Sequence, residues 1–277
     1  MRPVVPNALA HAVPAEFFSK ANLPAISVFG LGRVGMVSAA CLSALGHAVI
    51  GVDLDQTKID TIAQGVSPIH ENGLDKLLFD GVAGGLISTT DDLAYAVRET
   101  AVTLVSVGAA ASNGCVPDFP AIEAVARSIG VGIAQKAGFH VVVIRSEVPP
   151  GTTTGVVAPI IQNISGKTLG KDFGLCFNPE FLRPGQAVFD FQAPVKTVVG
   201  ATCRRSAKIV RQIYKPITQE ITVTSVETAE MIKHVDRFWR AAKANFAQEV
   251  DQLCLAKNID PQRVLKAVTA CSGLSEV

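Results

Sequence analysis

The chain has no run of about 20 consecutive apolar residues, the length that spans a bilayer. This holds although 48% of its 277 residues are hydrophobic and its mean hydropathy is +0.34. The most apolar window, Val34 to Val52, is broken by Ser38, Ser43, Gly46 and His47, so it reads as a buried helix followed by a strand. No membrane partner is expected. Residues 1–24 lack an apolar stretch of signal-peptide length and carry Pro3, Pro6, Pro14 and Pro24. They read as a loose leader on a cytoplasmic protein, with a targeting role left open. An excess of charge is missing too: 25 Lys and Arg against 24 Asp and Glu leave a net charge of +1, which excludes a general pull toward nucleic acid. Any anion recognition must be local. The six cysteines (Cys41, Cys115, Cys176, Cys203, Cys254 and Cys271) include no CxxC pair and no histidine at ligand spacing. No metal site is expected, and the thiols read as reduced and mostly buried. Internal repeats and low-complexity tracts are absent.

What is present is alternation. Short β-branched runs at 26–30, 48–53, 102–107, 140–146, 174–178 and 196–201, with an edge strand at 220–224, are separated by segments of helical period at 33–45, 55–64, 73–80, 91–97, 119–136, 152–164 and 203–213. That order predicts an α/β fold, a doubly wound, mostly parallel sheet whose ligands sit outside the carboxyl ends of the strands. From Ser225 to Asn258 there is neither Pro nor Gly, and Met231, Val235, Phe238, Ala242, Phe246, Val250 and Leu253 recur at helical spacing. One long helix is expected there, and a second opens at Pro261.

The motif carrying most chemistry is G-x-G-x-x-G at Gly30, Gly32 and Gly35, directly after a strand and opening a helix. The first glycine permits the tight turn, the second lets a pyrophosphate approach the backbone, and the third lets helix pack on strand. The helix N-terminus, with Arg33 and Val34 in its first turn, supplies free N–H groups and partial positive charge. The next strand ends in Asp53, a carboxylate placed for ribose hydroxyls that would repel a 2′-phosphate. The cofactor expected is therefore NAD, held in a Rossmann-like domain. Lys58 either meets the adenosine side of the cofactor or pairs with Asp55 or Asp60. The loop after the 102–107 strand, with Gly108 and Ala109, suits a sheet edge across which a cofactor lies, and equally a simple turn.

The segments "FGLGRVG", "VPPGTT", "FNPEFLRPGQAVFDF" and "ETAEMIKHVDRFWRAAKANFAQEV" occur in an order that resembles the UDP-glucose/GDP-mannose dehydrogenase family, from about Ala25 to Cys271. The resemblance implies oxidation of the C6 hydroxyl of GDP-mannose or UDP-glucose to a carboxylate in two NAD-dependent steps, through a thiol-bound aldehyde. It implies that Glu180 handles protons or positions water, that Phe181 and Leu182 touch the sugar nucleotide, and that Lys233 stabilises an oxyanion. Ser146 and Glu147 fall beside the cofactor. It also implies a division into a leader (1–24), an NAD-binding domain (25–224) and the start of a central helical domain (225–277) that dimerises through the 225–257 helix. A 6-phosphogluconate or hydroxyacid dehydrogenase would share the first domain and the helices but not "NPEFLR".

Several positions depart from the family pattern. Gly108-Ala109-Ala110 replaces Gly-Thr-Pro, Glu147 replaces a threonine, Pro184 replaces an acid, Arg33 replaces an aromatic residue, and Arg237 replaces an asparagine. A carboxylate at Glu147 adds negative charge near Glu180 and the phosphates, raising one acid's pKa or weakening binding. Arg237 is expected to pair with Glu147 or Glu180 and occupy the sugar site, or to face solvent. The family nucleophile, in a GGSC-type motif, and a sugar-nucleotide-binding domain lie beyond Val277 in that pattern, and Cys271 is not expected to replace the nucleophile. Two readings follow: a dehydrogenase that is incomplete or impaired, or an inactive NAD-binding paralogue acting through dimerisation or a partner.

Overall fold

The computed structural model describes residues 23–107 and 119–271; residues 1–22 of the leader and the Gly108–Ala109 loop fall outside them. Eight strands form one sheet in the order β3-β2-β1-β4-β5-β6-β7-β8: β1 (Ile26–Phe29), β2 (Val49–Val52), β3 (Ile87–Thr90), β4 (Val102–Val105), β5 (His140–Ile144), β6 (Phe173–Phe177), β7 (Thr197–Ala201) and β8 (Ile221–Thr224). Every pairing is parallel except β6 with β7. This is the doubly wound, Rossmann-like sheet expected, with its strand order reversing between β1 and β4.

Strands β1, β4, β5 and β6 are buried throughout, as near-continuous apolar runs covered by helices on both faces should be. Successive side chains alternate between two cores. Val28, Val141 and Val143 point to the face covered by α1 (Arg33–Ala44), α3 (Leu74–Ala83) and α8 (Arg204–Tyr214). Phe29, Val142 and Ile144 point to the face covered by α4 (Leu93–Glu99), α5 (Phe119–Ala134) and α6 (Ala158–Ser165). Between them, α2 (Gln56–Ala63) follows β2.

Two short elements, β3 and α7 (Ala187–Gln192), escape the sequence patterns. β3 is a sheet edge of sequence ISTT whose side chains are mostly not buried, so it lacks the apolar run that marks a strand.

The long helix α9 (Val226–Leu255) packs on the sheet by its first turns, with Cys254 buried at its far end. A Cβ on Gly200 of β7 would lie 2.7 Å from that of Ala229, so helix and strand approach at glycine distance. The fully buried Glu230 carboxylate accepts the N–H groups of Gly151 (2.5 Å) and Thr153 (2.9 Å). These donors open the π-helical turn Thr153–Val157 that leads into α6, a helix start where an anion is favoured. Farther along, Val235, Phe238 and Leu253 are exposed, so the stripe read from the sequence faces away from the sheet. α10 (Pro261–Cys271) follows a turn at Asn258.

At the opposite, amino edge of the sheet, His140 is buried on Thr103 (2.9 Å) and the Thr100 carbonyl (3.1 Å). Burial first, and then the Lys136 ammonium, bring its pKa down to about 3 against the upward pull of the Thr100 carbonyl.

Glu230→Ala should leave two buried N–H groups without their anion and lower the unfolding free energy by about 3 kcal/mol, read as a fall in urea midpoint at unchanged slope. An unchanged midpoint would mean the carboxylate anchors nothing. Because unfolded chains bind the His140 proton at its ordinary value of 6.5 and the folded chain only near 3, its contribution is complete above that ordinary value and is lost as pH falls toward the folded one. His140→Gln should flatten the acid-side loss of stability by up to about 1.4 kcal/mol per pH unit; an unaltered slope would assign the loss to carboxylates.

Candidate functional site

Strand register builds the site. Phe29 is level with Val52 and Val105, Val105 with Ile144, and Ile144 with Phe177. The residues that follow, Gly30, Asp53, Ser106, Arg145 and Asn178, therefore line one carboxyl edge in that spatial neighbourhood, where open α/β sheets bind ligands.

At the β1–α1 turn Gly30 has φ +84, and a Cβ on it would fall 2.8 Å from the Ser106 carbonyl oxygen. A Cβ on Gly35 would lie 1.9 Å from the Gly30 carbonyl oxygen, so α1 can only pack this close without a side chain. A Cβ on Gly32 would meet nothing within 4 Å, which is the open cradle a pyrophosphate requires. Gly32 caps α1 with no side-chain hydrogen bond, leaving the first-turn N–H groups around Arg33 and Val34 to another acceptor. This geometry fits a dinucleotide.

Asp53 accepts the Leu31 N–H (2.8 Å), the Asp55 N–H (3.1 Å) and Lys58 Nζ (2.8 Å). Burial pushes its carboxyl up, but these donors outweigh that and hold it below the usual carboxylate range. The lysine thus pairs with Asp53 and not with Asp55 or Asp60. Asp55 caps α2 through the Lys58 backbone N–H, and Asp60 takes the Gln56 amide. Lys58 is drawn inward because Asp53 is the more buried acid, something spacing on the helix does not reveal. Arg33 lies against the buried carboxylate of Glu71 (2.9 Å), a residue the sequence did not single out.

On the other side of the switch point, Ser146 spends its hydroxyl on the Val107 carbonyl (2.7 Å). Two ion pairs then tie the strand-end loops to α9, one helical turn apart. Lys233 Nζ donates to the Glu180 carboxylate (3.0 Å) and to its backbone carbonyl (2.7 Å), while the second carboxylate oxygen accepts the Leu182 N–H (2.8 Å). Both side chains are less than a fifth exposed. Phe181 lies beside, with Lys233 Nζ 5.5 Å from its ring centre. Arg237 pairs with Glu147 at 3.0 Å in a more exposed setting, where such a pair contributes at most about 1 kcal/mol. Each carboxylate thus has its own cation, because the helical period puts Lys233 and Arg237 on one face, and Arg237 takes Glu147, one of the two partners expected for it. Gly108 and Ala109 lie outside the described residues. Among the described residues no group of three or more His, Cys, Asp or Glu is set to hold a metal ion, and no helix is long and apolar enough to cross a membrane.

Residues 24–218 match the profile of the UDP-glucose/GDP-mannose dehydrogenase family, NAD binding domain. The chain is 44% identical over 243 residues to a GDP-mannose 6-dehydrogenase of Pseudomonas aeruginosa, covering 88% of this chain and 56% of that protein. Against a UDP-glucose 6-dehydrogenase of Haloferax volcanii the identity is 34% over 248 residues, with 88% and 57% covered. The fold is similar to a ternary complex of GDP-mannose dehydrogenase from P. aeruginosa, with TM-score 0.86 over 88% of this chain and 56% of that one. It is also similar to a UDP-glucose dehydrogenase from Pyrobaculum islandicum, with TM-score 0.85, 34% identity, and 96% and 58% covered. The chain spans about half the length of the curated relatives it matches.

Gly35→Ala should destabilise the fold by about 2 kcal/mol through overpacking of α1 on β1, whereas Gly32→Ala should leave the chemical-denaturation midpoint unchanged. Equal midpoints for the two variants would contradict the close contact.

Proposed function

Because the chain belongs to the UDP-glucose/GDP-mannose dehydrogenase family, we propose that it contributes the cofactor-binding half of a nucleotide-sugar 6-dehydrogenase that oxidises GDP-mannose or UDP-glucose to the uronic acid. The observation that carries this reading is the Glu180–Lys233 pair at the same sheet edge as the glycine turn. The cofactor is NAD. Gly30, Gly32 and Gly35, with the first-turn N–H groups of Arg33 and Val34, would hold its pyrophosphate, and Asp53 a ribose, with Lys58 fixing that carboxylate. Ser146 and Glu147 complete its surroundings. When bound, NAD accepts a hydride.

The remaining work falls to the chain's own side chains. Glu180, oriented by Lys233 and the Leu182 N–H, takes a proton from a hydroxyl or an ordered water. The Lys233 ammonium, shielded from solvent beside Phe181, offers positive charge to an oxyanion more effectively than it would in water. Phe181 and Leu182 line the path of the sugar. In this reading residues 25–224 form the NAD-binding domain and residues from 225 begin a helical domain. The exposed Met231, Val235, Phe238 and Leu253 are covered by a second copy, making a homodimer through α9. The free thiols of Cys41, Cys176, Cys203 and Cys254 accord with a cytoplasmic setting.

A second reading is favoured by the Glu147–Arg237 pair, which bridges the loop after β5 to α9 one helical turn from the Glu180–Lys233 pair. In that case the protein binds NAD and acts through dimerisation or a partner without turning over.

Titration with NAD at 100 times its dissociation constant should stabilise the protein by about 2.7 kcal/mol, seen as a rise in Tm, and Gly32→Ala should lose most of it. No shift at millimolar NAD would overturn the cofactor assignment. NADH absorbance with GDP-mannose or UDP-glucose then separates the readings. Formation of NADH supports the dehydrogenase. A flat trace that Glu147→Thr with Arg237→Asn converts to turnover supports a blocked sugar path; a flat trace in both that gains turnover once the remaining half of a relative is supplied supports the dehydrogenase, and one that stays flat supports the inactive paralogue.

A further inference from the structure

A cavity of about 600 Å³ lies beside the Glu180 loop, between the carboxyl ends of β5 and β6, the end of α8 and the middle of α9. One of its buried lining side chains is Arg145, 5% exposed. The guanidinium donates to Asn178 Oδ1 (2.6 Å) and to the Tyr214 hydroxyl, but its Nε is buried without a partner. Among the described residues it makes no ion pair. A buried guanidinium facing only neutral acceptors is costly unless an anion completes its shell.

The carboxylates that also line the cavity are engaged elsewhere. Asp190 is held by Arg183 (2.6 Å), Asp236 by Lys196 (2.6 Å) and Arg240 (2.9 Å), and Glu180 by Lys233 (3.0 Å). Asn178 is locked in the orientation that shows Arg145 its oxygen, because its amide donates to the Val198 carbonyl (2.7 Å). Tyr214 accepts from Arg145, so its own proton is left for another acceptor, and burial pushes its pKa up, keeping that proton in place.

We propose that this cavity is an oxyanion subsite in which Arg145 and the Tyr214 hydroxyl bind a phosphate-type group, either free phosphate or the diphosphate of a nucleotide. Arginine suits such a group because its fork of donors matches phosphate oxygens. The subsite stands apart from the glycine turn, and its occupancy does not depend on NAD.

The test is thermal unfolding of the whole protein in inorganic phosphate against chloride at matched ionic strength. Phosphate is expected to raise Tm by about 5 °C at saturating concentration. Arg145→Met should abolish that rise while keeping the Tm shift produced by NAD, which shows that the variant is folded. Should Arg145→Met fail to fold, Tyr214→Phe serves, with a phosphate-induced rise at least halved. A GDP-induced rise larger than that of phosphate at equal concentration, and lost in the same variant, assigns the subsite to a nucleotide diphosphate; equal rises assign it to free phosphate. No phosphate-induced rise in the wild-type protein, or a rise that survives both substitutions, overturns the proposal.

Discussion

The geometry of the candidate site hangs on one buried carboxylate. Glu230 receives the N–H groups of Gly151 and Thr153 and so pins the first turns of a 30-residue helix to a loop that leaves the sheet after β5. Lys233 and Arg237 follow on the same helix, and their reach to Glu180 and Glu147 is set by that anchor and by the close Gly200–Ala229 approach. The same anion also satisfies donors at the start of the turn leading into α6. One side chain thus couples the path of the strand-end loop to the position of both cations above it.

The sheet edge makes the matching contribution from below. Parallel register keeps the ends of β1, β2, β4, β5 and β6 level, so a row of residues with different chemistry is held by hydrogen-bonded backbone and not by flexible loops. At one end of the row sit a bare-backbone cradle and an acid held ionised by its neighbours. At the other end sit an uncompensated guanidinium and a salt-bridged glutamate. Donors without an anionic partner stand at both ends, yet the chain as a whole is nearly neutral, because the carboxylates near them are already paired.

Features that act through backbone sterics were legible in the sequence. A helix packed at carbonyl distance on a strand admits only glycine, so Gly30 and Gly35 announce the turn, and the long period without Pro or Gly announces α9. The doubly wound order followed from alternating runs for the same reason. Partnerships between side chains were less legible. Helix spacing offered Asp55 and Asp60 to Lys58, but Asp53 receives it because burial decides between acids that sequence distance cannot rank. Arg145 meets partners 33 and 69 positions away, and Glu230 reaches back 79 and 77 positions. Such pairs exist only once the sheet is assembled. The strand ISTT has too few apolar positions to show a period, and the six-residue helix α7 is too short to show one.

The one antiparallel pairing among the described residues, β6 with β7, sets the heading of everything after it. A helix that follows a strand ordinarily runs back along it, so in a wholly parallel sheet α9 would travel toward the amino edge, near His140 and far from the ligands. Because β7 and β8 are reversed, the return journey of α9 is an outward one. It climbs past the carboxyl edge, carrying Lys233, Arg237 and then its exposed apolar residues beyond the sheet altogether. A single change of strand polarity therefore converts what would be a covering helix into a mast.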